Sequence, residues 1–74
     1  MIRPEQSKAA RALVGWNQRE LAARADISKA TLQNFEAGKS RPNPGTVRLI
    51  KETLEAAGIR FVNDTEYGVL RRGA

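Results

Sequence analysis

Apolar residues follow two rhythms along the chain. From Pro4 to Ala57 they recur every three or four positions, and after Gly58 they alternate with polar ones. The first spacing marks amphipathic helices and the second half-buried strands. Ala9, Ala10, Leu13 and Val14 predict the buried stripe of a first helix. It opens near Pro4, with Glu5 complementing the helix dipole, and stops at Gly15. Trp16 follows at a corner and covers one end of the core. A second helix is predicted over 18–25, with Leu21, Ala22 and Ala25 as its inner seam. Asn17 caps it, and Glu20 is placed to bond back to the cap as in a capping box. Asp26 ends that helix, Ile27 plugs the corner and Ser28 caps a third helix over 28–37, with Leu32 and Phe35 inside and Gly38 as its stop. Pro44, capped by Asn43, opens a fourth helix with Val47, Leu49, Ile50, Leu54 and Ala57 as its buried stripe and Gly58 at its end.

The run Lys39-Ser-Arg-Pro-Asn-Pro between the third and fourth helices is a loop, with two prolines, two bases and no apolar residue. Beyond Gly58, Ile59 to Val62 and Tyr67 to Arg71 are β-rich runs around the turn-like Asn63 to Glu66, which predicts a hairpin. A lone two-stranded hairpin is marginal in water and leaves edges unpaired, so the helical body or a second subunit must cover it. Ile59, Phe61 and Val69 are the candidate dimer interface. The expected fold is mainly α: a four-helix bundle over residues 1–58 and a C-terminal β-strand or β-hairpin extension over 59–74, read as a dimerisation element.

Composition narrows the chemistry. Seventy-four residues make one domain. The sequence holds no cysteine and no histidine. A disulfide framework, a thiolate zinc site and the commonest general base are thereby excluded. No nucleophile–base arrangement or phosphate loop is present, so no enzyme, cofactor or metal is expected. No apolar run approaches a bilayer span and the N-terminus lacks the apolar core of a signal peptide, which predicts no membrane association and a cytoplasmic protein. The net charge of +5 is uneven: residues 1–41 carry eight bases against four acids, and residues 42–74 five against four. A basic N-terminal half points to a polyanionic partner.

Only about three residues separate the second and third helices, which suits a wide crossing angle as in a helix-turn-helix. Gln18-x-Glu-Leu-Ala, then Ile27-Ser, then Leu32-x-x-Phe-Glu-x-Gly-Lys-x-x-Pro stand in one register. From about Arg11 to Leu54 the chain resembles the lambda-repressor-like helix-turn-helix family, of the Cro and phage-repressor type. The resemblance implies a bundle of four or five helices, binding to double-stranded DNA as a homodimer, and repression or activation of transcription. It also implies roles. Lys29, Ala30, Gln33 and Asn34 match base-facing positions. Asn17 and Gln18 match a phosphate anchor, Ser28 and Thr31 positions that hold the DNA backbone, and Lys39 and Arg41 backbone clamps. Arg11 and Glu36 match a buried salt bridge between the first and third helices. Asp26 departs from the pattern, standing where the family usually has glycine; aspartate tolerates a left-handed backbone better than most residues.

The expected function is a sequence-specific regulator. Alternatives are an antitoxin whose C-terminal segment folds onto a toxin, and an interaction adaptor that no longer binds DNA.

Overall fold

The computed structural model describes residues 1–39, 43–63 and 66–73. In chain order these form α1 (Pro4–Val14), α2 (Gln18–Arg24), α3 (Lys29–Glu36), α4 (Pro44–Ala56), β1 (Ile59–Val62) and β2 (Gly68–Arg71). The fold is the mainly α one that the two rhythms predict, with the strands paired as an antiparallel hairpin.

Short side chains start the helices. The Oδ1 of Asn17 accepts from the Glu20 amide at 2.8 Å, the Oγ of Ser28 from the Thr31 amide at 3.0 Å, and the Oδ1 of Asn43 from the Gly45 amide at 2.8 Å. The return half of the expected capping box is not made. Glu20 instead accepts from Arg24 at 3.1 Å, one turn along the same helix. The i,i+4 spacing, with the acid N-terminal to the base, favours that pair.

Three helices end by one device. After α1, Gly15 donates to the Ala12 carbonyl and Trp16 to that of Arg11; after α2, Asp26 donates to Ala23 and Ile27 to Ala22; after α3, Gly38 donates to Phe35 and Lys39 to Asn34. This paired pattern is the Schellman motif, and it needs a left-handed residue just past the helix. Gly15 (φ 75°), Asp26 (φ 58°) and Gly38 (φ 67°) supply it, and Asp26 is the single non-glycine residue with positive φ among the described residues.

The core is one cluster of Ile2, Ala10, Leu21, Ala22, Leu32, Phe35, Val47, Ile50, Leu54 and Ile59, with Val14, Trp16, Ile27, Phe61 and Val69 partly buried against it. Three apolar expectations fail, since Ala9, Leu13 and Leu49 are exposed, and Val14 and Ala57 are only half-buried. In α1 the buried residues are Gln6, Ser7 and Ala10, a stripe one position off the apolar pattern. Hydrophobic periodicity cannot detect an inner face built from polar side chains that are satisfied inside.

Gln6 shows how such a face works. Its Oε1 accepts from the Arg3 amide at 2.8 Å, and its Nε2 donates to the carbonyls of Gly68 (3.0 Å) and Val62 (3.2 Å) and to Asn63 Oδ1 (3.0 Å). One buried amide therefore caps α1 and ties it to both strands of the hairpin. Arg71 adds a second tie, donating to the Leu13 carbonyl at 2.9 Å. The hairpin rests mainly on α1 and α4.

Asp26 holds a left-handed backbone that costs an L-residue roughly 1–2 kcal/mol, and it places a negative charge at a helix C-terminus. Asp26→Gly is expected to stabilise the domain by about 0.5–1 kcal/mol, raising Tm by roughly 2–8 °C. A Tm unchanged or lowered in thermal melts would show that the corner carries no strain.

Candidate nucleic-acid interface

Successive residues of a helix are 100° apart, so the burial of Leu32, Phe35 and Glu36 dictates what α3 shows outside. Lys29, Ala30, Gln33 and Asn34 form one continuous outer stripe, and all four are exposed. The side chains of Lys29, Gln33 and Asn34 make no hydrogen bond or ion pair with another described residue. Lysine and amide groups presented in this way can meet hydrogen-bonding groups on a partner surface.

The stripe is held by a buried carboxylate on the inward face of the same helix, beside Leu32 and Phe35. The Glu36 side chain is 1% exposed. Its Oε2 accepts from Ser7 Oγ at 2.6 Å and Arg11 Nε at 2.9 Å, and its Oε1 from Arg11 Nη2 at 2.7 Å and Gln18 Nε2 at 3.1 Å. The remaining Arg11 nitrogen, Nη1, donates to the Trp16 carbonyl at 3.3 Å. A single charge-paired group thus joins α1, the α1–α2 corner, α2 and α3. Burial alone pushes the Glu36 carboxyl pKa up, but the hydrogen bonds from Arg11, Ser7 and Gln18, together with the Arg11 charge, more than offset it. The net pKa lies below the usual value.

The remaining candidates fall around this frame. Asn17 is exposed, and its Oδ1 is used by the cap while Nδ2 stays available as a donor. Gln18 is turned inward by its bond to Glu36, which leaves its backbone amide at the start of α2. Ser28 and Thr31 are exposed, with their hydroxyls 2.7 Å apart. Lys39 is exposed just past α3. Arg41 lies outside the described residues. Of the hairpin candidates, Phe61 and Val69 are half-buried, facing each other across the pair. Ile59 is a correction: at 3% exposure it belongs to the protein's own core, so its side chain has no surface to give a second subunit. Ser7 and Gln6 are supporting positions that the apolar pattern does not mark. Their signal was position alone, since both lie on the α1 face that also carries Ala10 and Val14.

Among the described residues, no group of three or more His, Cys, Asp and Glu side chains is placed to hold a metal, and no helix is long and apolar enough to cross a membrane. A family model described as helix-turn-helix matches residues 8–57, more than half of the chain. No curated protein matches it.

The lowered pKa of Glu36 links stability to pH. Its contribution is complete above the unfolded-state value, near pH 4–5, and is lost as pH falls through the lower folded-state value. Urea melts are expected to show constant stability near neutrality and a decline below about pH 4. Glu36→Gln should cost about 3–5 kcal/mol at neutral pH, by leaving Arg11 uncompensated, and should flatten the acid decline. An acid limb equally steep in the variant would place the responsible carboxyl elsewhere.

Proposed function

The chain belongs to the lambda-repressor-like helix-turn-helix family, a DNA-binding regulatory family, and from that premise we propose that it is a sequence-specific regulator acting as a homodimer, with α3 in the major groove. The observation that carries the reading is the exposed stripe Lys29, Ala30, Gln33 and Asn34, opposite a helix face locked by Glu36. Lysine bonds the acceptor edge of guanine, glutamine or asparagine bonds adenine at two points, and an alanine methyl meets that of thymine. The donors Asn17 Nδ2 and the Gln18 amide, the hydroxyls of Ser28 and Thr31, and the bases Lys39 and Arg41 contact phosphate, which sets position rather than sequence.

One short helix reads about four base pairs, too few to define a single site, and a dimer doubles the site with half-sites roughly 34 Å apart. The hairpin supplies the contact through its edges. Gly58 and Arg72 are hydrogen-bonded across the pair, so the alternation of an antiparallel ladder turns the backbone groups of Ile59 and Phe61, and of Val69 and Arg71, toward the free edges. Pairing of equivalent edges across a two-fold axis would satisfy those groups and cover what remains exposed of Phe61 and Val69. Occupation of an operator by such a dimer excludes other proteins from it, which makes repression the simplest output.

The two kinds of contact are separable. Gln33→Ala or Asn34→Ala is expected to lower preference for the bound sequence by roughly 1–3 kcal/mol. Lys39→Ala should weaken all sequences alike and reduce the salt slope by about one. Identical behaviour of both classes in binding titrations would contradict these roles. Sedimentation is expected to show a dimer at micromolar concentration, and a monomer both free and on DNA would remove the dimer.

A further inference from the structure

The register of the hairpin sorts its residues onto two faces. Ile59, Phe61, Val69 and Arg71 lie on the side of the helices; Arg60, Val62, Leu70 and Arg72 lie on the outward side. The outward face has an apolar centre and a basic rim. Leu70 is 53% exposed, and Arg60 and Arg72 are both exposed. A cleft of about 390 Å³ opens at the Gly58–Arg72 end of the pair, lined by Gly58, Arg60, Leu70 and Arg72 and, from the other side of the strands, by Ile59 and Arg71. The described residues contribute no acid to its lining, and no described acid pairs with any of the three arginines.

The arrangement is unfavourable for the isolated chain. Arg60 pairs with Leu70 across the strands, which makes Arg72 its diagonal neighbour on the same face, and like charges so placed repel. An exposed leucine adds apolar surface to water. Both features become favourable when a surface of opposite charge and matching polarity covers them. We propose that the outward face of the hairpin docks an acidic amphipathic segment of a partner protein, with an apolar side chain in the Leu70 cleft and carboxylates on Arg60 and Arg72.

Two other occupants fit less well. A second copy of the chain would bring three arginines against three. Duplex DNA offers phosphates, but its apolar thymine methyls lie in the major groove assigned to α3, and the hairpin rests on α1 and α4. The docking face is also distinct from the strand edges assigned to the dimer.

The test uses the full chain and a fluorescent peptide of glutamate and leucine with amphipathic helical spacing, with the lysine–leucine equivalent as control. Arg60→Glu combined with Arg72→Glu removes the rim, and Leu70→Ser removes the centre; all three positions are exposed, and unchanged thermal melts check the fold. The acidic peptide is expected to bind the wild-type chain and the control not to. Affinity should fall at least tenfold in the double variant and several-fold in Leu70→Ser, while Gln33→Ala leaves it unchanged. No binding to the wild-type chain, or equal binding to all variants, would overturn the proposal. So would a double variant that loses affinity for DNA, which makes the face a nucleic-acid contact, or one that turns a dimer into a monomer on sedimentation, which assigns the face to a second copy. A loss of DNA reading in Gln33→Ala with peptide binding intact separates this proposal from the DNA-binding one.

Discussion

The carboxylate of Glu36 is the joint on which the arrangement of helices depends. It takes four hydrogen bonds, two from the Arg11 guanidinium, one from Ser7 on α1 and one from Gln18 on α2, while standing on α3. A buried charge is tolerated only when its desolvation is offset by a partner and its lone pairs are used, and here every lone-pair direction has a donor. The geometry is therefore specific: rotate or slide α3 and the carboxylate loses donors on two other helices together. The same contact answers an electrostatic difficulty. An acid on a helix that approaches phosphate would repel it, and Glu36 is turned away from the exposed stripe and neutralised by Arg11.

Around that joint, local devices do the finer positioning. Two successive terminations by left-handed residues, at Gly15 and Asp26, turn the chain within three or four residues, so α3 packs on both α1 and α2 without long connections. The capping side chains Asn17 and Ser28 complete the starts of α2 and α3. The side chains of Lys29, Gln33 and Asn34 are left without a partner among the described residues. A rigid frame carrying adaptable lysine and amide ends lowers the ordering cost of a contact without dictating the partner's structure in advance.

A chain of this length has little apolar area to bury, and α1 makes up the difference with polar ties. Its inner face consists of Gln6, Ser7, Ala10, Arg11 and Val14, of which only two are apolar. The helices, their caps and the hairpin were legible because proline, glycine, the Asx and Ser caps and the change of period act locally. The inner face of α1 was not, because its logic is long-range: Gln6 is buried through bonds to residues more than fifty positions away. Leu49 misled for the opposite reason, since an apolar side chain at helical spacing does not say which of two adjacent stripes is inward; Val47, Ile50 and Leu54 hold that side. Glu20 had two local partners within reach, and the ion pair prevailed over the cap. Ile59 was apolar at the start of a strand whose inner side the helices already covered.

The claim that matters most is that the α3 stripe reads bases. Selection of bound duplexes from random DNA, at a stated and fixed salt concentration, tests it most directly because salt governs the sequence-independent part of binding. The expected result is an enriched inverted repeat of short half-sites about one helical turn apart, whose sequence changes when Gln33 or Asn34 is replaced. Recovery of DNA with no enriched sequence, or of a motif that both replacements leave intact, would contradict it.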